Sequence, residues 1–166
     1  YVFFWLDNEK YGEFSNWYQR EFVIDDFRYF CVEQYMMAQK AKLFHDSVRY
    51  TAILRANSPK DCKALGKQVT PFDAKVWDAV KYDIVKTGNK AKFEQNPDLM
   101  NLLLSTGDRI MAEASPKDKI WGIALDAETA KHINPEAWPG QNLLGKILME
   151  LKAEYRKEQS KSFATE

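Results

Sequence analysis

Only two cysteines and two histidines occur among the 166 residues, and no apolar run approaches the length of a signal core or a membrane span. Cys31 and Cys62 lie far from any histidine cluster, and His45 and His132 sit in polar surroundings, so no zinc-ligand spacing is present and no metal is expected. Two unspaced cysteines fit buried thiols in a reducing compartment, and the cytoplasm is the expected location. No Gly-x-Gly-x-x-Gly follows a strand and no Gly-x4-Gly-Lys-Ser/Thr is present, which excludes the common dinucleotide and P-loop sites. Neither histidine stands where it would activate a serine, so Lys, Asp, Glu or Tyr must carry any catalysis. Net charge is also missing: 24 basic residues balance 24 acidic ones, so stable binding to duplex nucleic acid or an anionic membrane is not expected. The first residue is Tyr rather than Met, which suggests that an N-terminal piece is missing.

What is abundant is apolar and aromatic surface, at 45% and 14% of residues, enough for a packed core with ring-walled clefts. Strands are expected at Tyr1 to Leu6, Phe14 to Tyr18, and a hairpin pairing Phe22 to Ile24 with Phe27 to Phe30, then at Arg109 to Ala114 and Ile120 to Leu125. Between these groups the pattern is helical. Ser58-Pro59 opens one helix and Asp73 caps Ala74 to Lys86, with Val76, Trp77, Val80, Ile84 and Val85 inward and Gly88 as its stop. One or two further turns cover Lys90 to Gln95, and Asn96-Pro97 opens a helix to Ser105. Asn142 is placed to cap a last helix from Leu143 to about Tyr155. Strand groups flanking helices indicate an α+β fold, with several short helices and a small, mainly antiparallel sheet. One domain over residues 1–155 and a flexible tail over 156–166 are expected.

The chemistry centres on Cys31 to Phe44, CVEQYMMAQKAKLF. Glu33 and Lys40 lie seven residues apart, so both leave the helix on one stripe about 10 Å apart. The remaining circumference is nearly all apolar, so the helix must be covered. An unpaired buried charge costs several kcal/mol, so the pair faces a polar cleft or an ion partner elsewhere. Glycines, amides and tryptophans also meet at Gly88 to Phe93, Glu113 to Gly122 and Trp138 to Lys146. Each of these has a plain reading as a cap or turn. Trp17, Trp121 and Trp138 stand beside loops, where a ring can stack on a base, whereas Trp77 reads as core.

Taken together, Phe14-Ser15-Asn16-Trp17-Tyr18, Val32 to Ala41, Gly88-Asn89 through Asn96, Glu113-Ala114-Ser115-Pro116 through Gly122, and Asn142-Leu143-Leu144-Gly145 resemble the signature blocks of the NADAR (YbiA-like) family over roughly residues 3 to 155. Position 124 is Ala where that family's Trp-Gly-Ile-Gly-Leu block has Gly. The resemblance implies a YbiA-like fold and an N-glycosidase without a cofactor. Its substrates would be ADP-ribose attached to guanine, free or in nucleic acid, or phosphoribosylamino-pyrimidine intermediates of riboflavin synthesis. In both, ribose C1 carries an exocyclic amine, so the sugar opens to an imine that a lysine can exchange. Lys40 is the expected nucleophile with Lys92 as second choice, Glu33 the proton shuttle and Asp118 a second carboxylate. Direct water attack on an oxocarbenium-like centre is the alternative route, with Lys40 then binding phosphate or ribose. Asn16, Trp17, Asn89, Lys92, Glu113, Trp121, Gly122 and Asn142 are expected to hold base and phosphates, since amides, helix N-termini and rings suit them. A non-catalytic binder of NAD or ADP-ribose is the competing class, disfavoured by the retention of Glu33, Lys40 and Asp118 together.

Overall fold

The computed structural model describes residues 1–165. Its internal contacts divide the chain into two compact units, one spanning Asn16–Asn96 and the other joining Tyr1–Ser15 to the residues from Pro97 onward.

The Asn16–Asn96 unit holds an antiparallel hairpin, β1a, made of Phe22–Ile24 and Phe27–Tyr29, and four helices: α1 (Val32–Leu43), α2 (Ser47–Leu54), α3 (Pro59–Lys67) and α4 (Ala74–Glu94). The expected hairpin forms through Asp25 and Asp26, both in the left-handed region at φ 50° and 65°. Phe22, Tyr29 and Tyr35 pack ring against ring, joining the hairpin to α1. Helix α1 starts where Cys31 Sγ accepts the Gln34 amide, and the Gln34 side chain accepts from Phe30 N and donates to Ile53 O. Every residue from Val32 to Ala38 is buried, as so apolar a circumference requires.

Helix α4 departs from expectation. It runs unbroken to Glu94, so Gly88 is not its stop and Lys90 to Gln95 is not a separate turn. Gly88 is where α1 comes close: a Cβ there would lie 3.0 Å from Tyr35 Cδ1 and 3.2 Å from Val32 Cγ1. Packing outweighs the ~1 kcal/mol a mid-helix glycine costs. The buried stripe of α4 is Trp77, Lys81, Val85, Gly88, Asn89, Lys92 and Phe93, whereas Val76, expected inside, is 42% exposed.

In the second unit, β2a (Val2–Phe4) pairs in parallel with β3a (Met111–Glu113), accompanied by α5 (Pro97–Ser105), α6 (Ala127–Ala130) and α7 (Leu143–Thr165). One ribbon of the fold is therefore parallel and one antiparallel. Phe14 to Tyr18 is not a strand: Phe14 closes a 3₁₀ turn from Gly12. Nor is Ile120 to Leu125, because Ala124 turns left-handed at φ 60° and the carbonyls of Lys119 to Ile123 accept amides from Gly140 to Leu144, the loop before α7 and its first two residues. Ala112, Ala114, Ile123, Ala130 and Trp138 form a core cluster, with Trp138 Nε1 donating to Ala130 O. Trp138 is thus core rather than a free stacking ring. Leu144, Ile147, Leu148 and Leu151 are the fully buried face of α7, as read from the sequence. That helix does not end near Tyr155 but continues through most of the expected flexible tail to Thr165, since no proline or glycine interrupts it; residue 166 lies outside the described residues.

Candidate functional site

Helices α1 and α4 run antiparallel, because Gly88 abuts Val32 and Tyr35 while Trp77, eleven residues earlier, abuts Lys40 two turns further along α1. The Lys40 ammonium lies 4.7 Å from the Phe72 ring centroid and 5.9 Å from that of Trp77. Phe72 and Trp77 flank the Asp73 cap at the two positions of a hydrophobic staple, so both rings lie at the start of α4. Lys40 is half-buried, and loss of hydration lowers its pKa below the ordinary lysine value, an effect partly opposed by the negative charge of Glu33. Burial therefore favours the neutral, nucleophilic amine while Glu33 and the rings favour the ammonium.

Glu33 is 5% exposed, and its charge also helps push up the thiols of Cys31 and Cys62, both raised to about 12 chiefly by burial. Neither cysteine is a nucleophile near neutral pH. Asn16 ties this end of the site together: its carbonyl accepts Glu33 N at 2.9 Å and its Oδ1 accepts Asn89 Nδ2 at 3.2 Å. Asn89 Nδ2 also donates to Val85 O, and both asparagines are buried. Lys92 is fully buried, its Nζ 5.5 Å from the Tyr18 ring and 5.4 Å from Phe93. Trp17 is half-buried, with Lys63 Nζ 5.9 Å from its ring. Within this unit the structure thus brings together Asn16, Glu33, Asn89 and, along α1, Lys40.

Asp118, Glu113, Trp121, Gly122 and Asn142 assemble with one another in the other unit. Asp118 Oδ1 accepts the amides of Ile120 and Trp121, each at 2.9 Å, so that oxygen shapes the turn before Trp121. A Cβ on Gly122 would lie 2.8 Å from Glu113 O, which explains glycine by close backbone approach. Asn142 precedes α7, yet its side chain does not serve as a helix cap. Its Oδ1 accepts Glu113 N at 3.1 Å and its Nδ2 donates to Met111 O at 3.0 Å, clamping strand β3a. Trp121 is half-buried.

Sequence reasoning missed Phe72 and took Trp77 as core alone. The available signal was the staple spacing in Phe72-Asp73-Ala74-Lys75-Val76-Trp77. It also missed Tyr18 under Lys92, and Lys81, a buried lysine paired with Asp78 at 2.8 Å. Among the described residues, no group of three or more His, Cys, Asp or Glu is arranged to hold a metal, and no helix is long and apolar enough to cross a membrane.

Lys40 is thus a half-covered amine within the charge field of buried Glu33, with the Phe72 and Trp77 rings near it. The NADAR domain model matches residues 3–156, and the chain belongs to the NADAR family. It is 45% identical over 162 residues, 93% of this chain and 95% of the relative, to a protein named N-glycosidase from Acanthamoeba polyphaga mimivirus. It is 32% identical over 149 residues, 90% of this chain and 84% of the relative, to N-glycosidase YbiA of Escherichia coli (strain K12). The NMR structure of E. coli YbiA superimposes with a TM-score of 0.79 at 29% identity, covering 95% of this chain and 86% of that one. The α+β architecture is thus that of YbiA, and by this relationship the chain is an N-glycosyl hydrolase.

Proposed function

We propose that the enzyme cleaves the bond between ribose C1 and an exocyclic amine of a nucleobase, with ADP-ribosyl-guanine as the preferred substrate and Lys40 as nucleophile. The observation that supports this most is the Lys40 amine, whose pKa is lowered by burial within the charge field of buried Glu33. The glycosylamine opens to an imine at C1. Neutral Lys40 adds to that carbon, the C1–N bond to the base breaks, and the departing nitrogen takes a proton. Water then adds to the lysine imine, and the C1–Nζ bond breaks to return the amine and free the sugar as its aldehyde. Glu33 is assigned the proton transfers, since it shares the lysine's stripe and is sheltered from water. Lys92 is the weaker candidate because it has no exposed surface at all.

Asn16 and Asn89 are assigned to holding Glu33 and its neighbourhood in place, since their amides bond to each other and Asn16 accepts the Glu33 amide. The same chemistry applies to phosphoribosylamino-pyrimidines, so both compounds belong in one assay. Protein incubated with ADP-ribosylated guanine nucleotide and, separately, with the pyrimidine intermediate is followed by mass spectrometry of the released base. Faster release of the guanine base is expected. Faster release of the pyrimidine transfers the assignment to that substrate, and release from neither overturns the reading.

A further inference from the structure

Phe72 is one of several large apolar side chains left exposed. It is 47% exposed, yet it is held rather than loose: Asp46 Oδ2 accepts Thr70 N at 3.0 Å, and buried Phe44 meets the Phe72 ring at 5.2 Å and 61°. Asp46 itself is buried and caps α2 through Arg49 N, so the segment carrying Phe72 is tied to the α1–α2 corner. The ring therefore has a fixed edge contact behind it and an exposed remainder in front, with the Lys40 amine 4.7 Å from its centroid. Beyond it, Val76 is exposed at the next turn of the same helix end.

We propose that Phe72 is the stacking platform for the planar base that leaves ribose C1, and so a specificity-determining residue for aromatic leaving groups. This rests on the assignment of Lys40 as nucleophile. A base bonded to the carbon that Lys40 attacks must lie within a few ångströms of that amine, and Phe72 is the exposed ring at that distance. Ring stacking accepts any flat heterocycle and discriminates against a non-aromatic amine. The hydrophobic staple alone does not require an aromatic ring at this position, because Leu fills the same role.

Phe72→Leu keeps the staple and removes the ring. Calorimetry with GMP as the base-bearing probe and ADP-ribose as the sugar-bearing probe separates the two halves of the substrate. The expected result is GMP binding weakened on the order of tenfold or more in Phe72→Leu, recovered in Phe72→Tyr, with ADP-ribose binding changed less than twofold. No GMP binding by the wild type, equal GMP affinity in wild type and Phe72→Leu, or equal losses for both probes overturns the platform. So does a change confined to the pH profile, which would make Phe72 only a partner of the ammonium. Should Phe72→Leu not fold, Phe72→Trp is expected to tighten GMP, and unchanged or weaker binding overturns the proposal. Borohydride trapping during turnover keeps the two assignments apart: a Lys40 adduct in the wild type with unchanged GMP affinity in Phe72→Leu removes the platform alone. Absence of any adduct with the GMP loss intact removes the nucleophile alone.

Discussion

Asn142 offers a test that separates holding the fold from holding a ligand. Replacing it by Ala removes the hydrogen bonds to Glu113 N and Met111 O and leaves two backbone groups of β3a without them. An unsatisfied buried polar group costs about 1–3 kcal/mol, so the pair costs ~2–6 kcal/mol. Asn142 also sits at φ 54°, where Ala is less comfortable than Asn by a further ~1 kcal/mol. Allowing for non-additivity, ~3–5 kcal/mol is expected, or a fall in Tm on the order of 6–20 °C for a chain of this size. Asn142→Gly loses the same bonds without the backbone penalty and should be about 1 kcal/mol less damaging than Ala. Urea titration followed by tryptophan fluorescence reads both variants. An Asn142→Ala protein within 1 kcal/mol of wild type, with KM raised and kcat intact, would refute the clamp and return Asn142 to substrate binding.

Ala124, at φ 60°, predicts that Ala124→Gly leaves stability unchanged or raises it by up to about 1 kcal/mol, whereas Ala124→Val loses more than 1 kcal/mol; the reverse order in thermal melts would contradict the left-handed strain. Gly140→Ala would set a Cβ 2.2 Å from Gly122 O, a backbone atom that cannot swing aside, so a loss of ~2 kcal/mol or more is expected by denaturant titration. Because burial lowers the Lys40 pKa, the cost of its charge applies below the folded-state value and vanishes above that of the unfolded chain. Lys40→Met should therefore be more stable than wild type near neutral pH, by a margin that shrinks at strongly alkaline pH. In the wild-type enzyme kcat should rise with pH as the neutral amine accumulates and level off below the ordinary lysine range; a flat profile would argue against amine chemistry.

Much of this was readable from local pattern. The hairpin through Asp25 and Asp26, the Ser58-Pro59 and Asp73 helix starts, and the buried face of α7 each follow from short-range rules that tertiary contacts did not oppose. Gly88 was misread because a glycine stop and a glycine at a helix contact have the same local sequence, and only the approach of α1 distinguishes them. Asn142 was misread for a related reason: a cap position does not say where the side chain's own bonds go. The charged pair on α1 was visible from a seven-residue spacing, whereas the rings over Lys40, Phe72 just before α4 and Trp77 in its first turns, are distant in sequence and needed coordinates. Extended-looking Ile120 to Leu125 failed as a strand because its carbonyls accept amides from the loop before α7 and the first residues of that helix, and not from a ladder.

Release of the base through a lysine imine requires the Lys40 amine to bond covalently to ribose C1 during turnover. Borohydride added to enzyme turning over ADP-ribosylated guanine nucleotide, followed by peptide mass spectrometry, reads this directly. A reduced, mass-shifted adduct is expected on the peptide containing Lys40, lost in Lys40→Arg along with base release. Base release that continues in Lys40→Arg with no adduct on any lysine would contradict it.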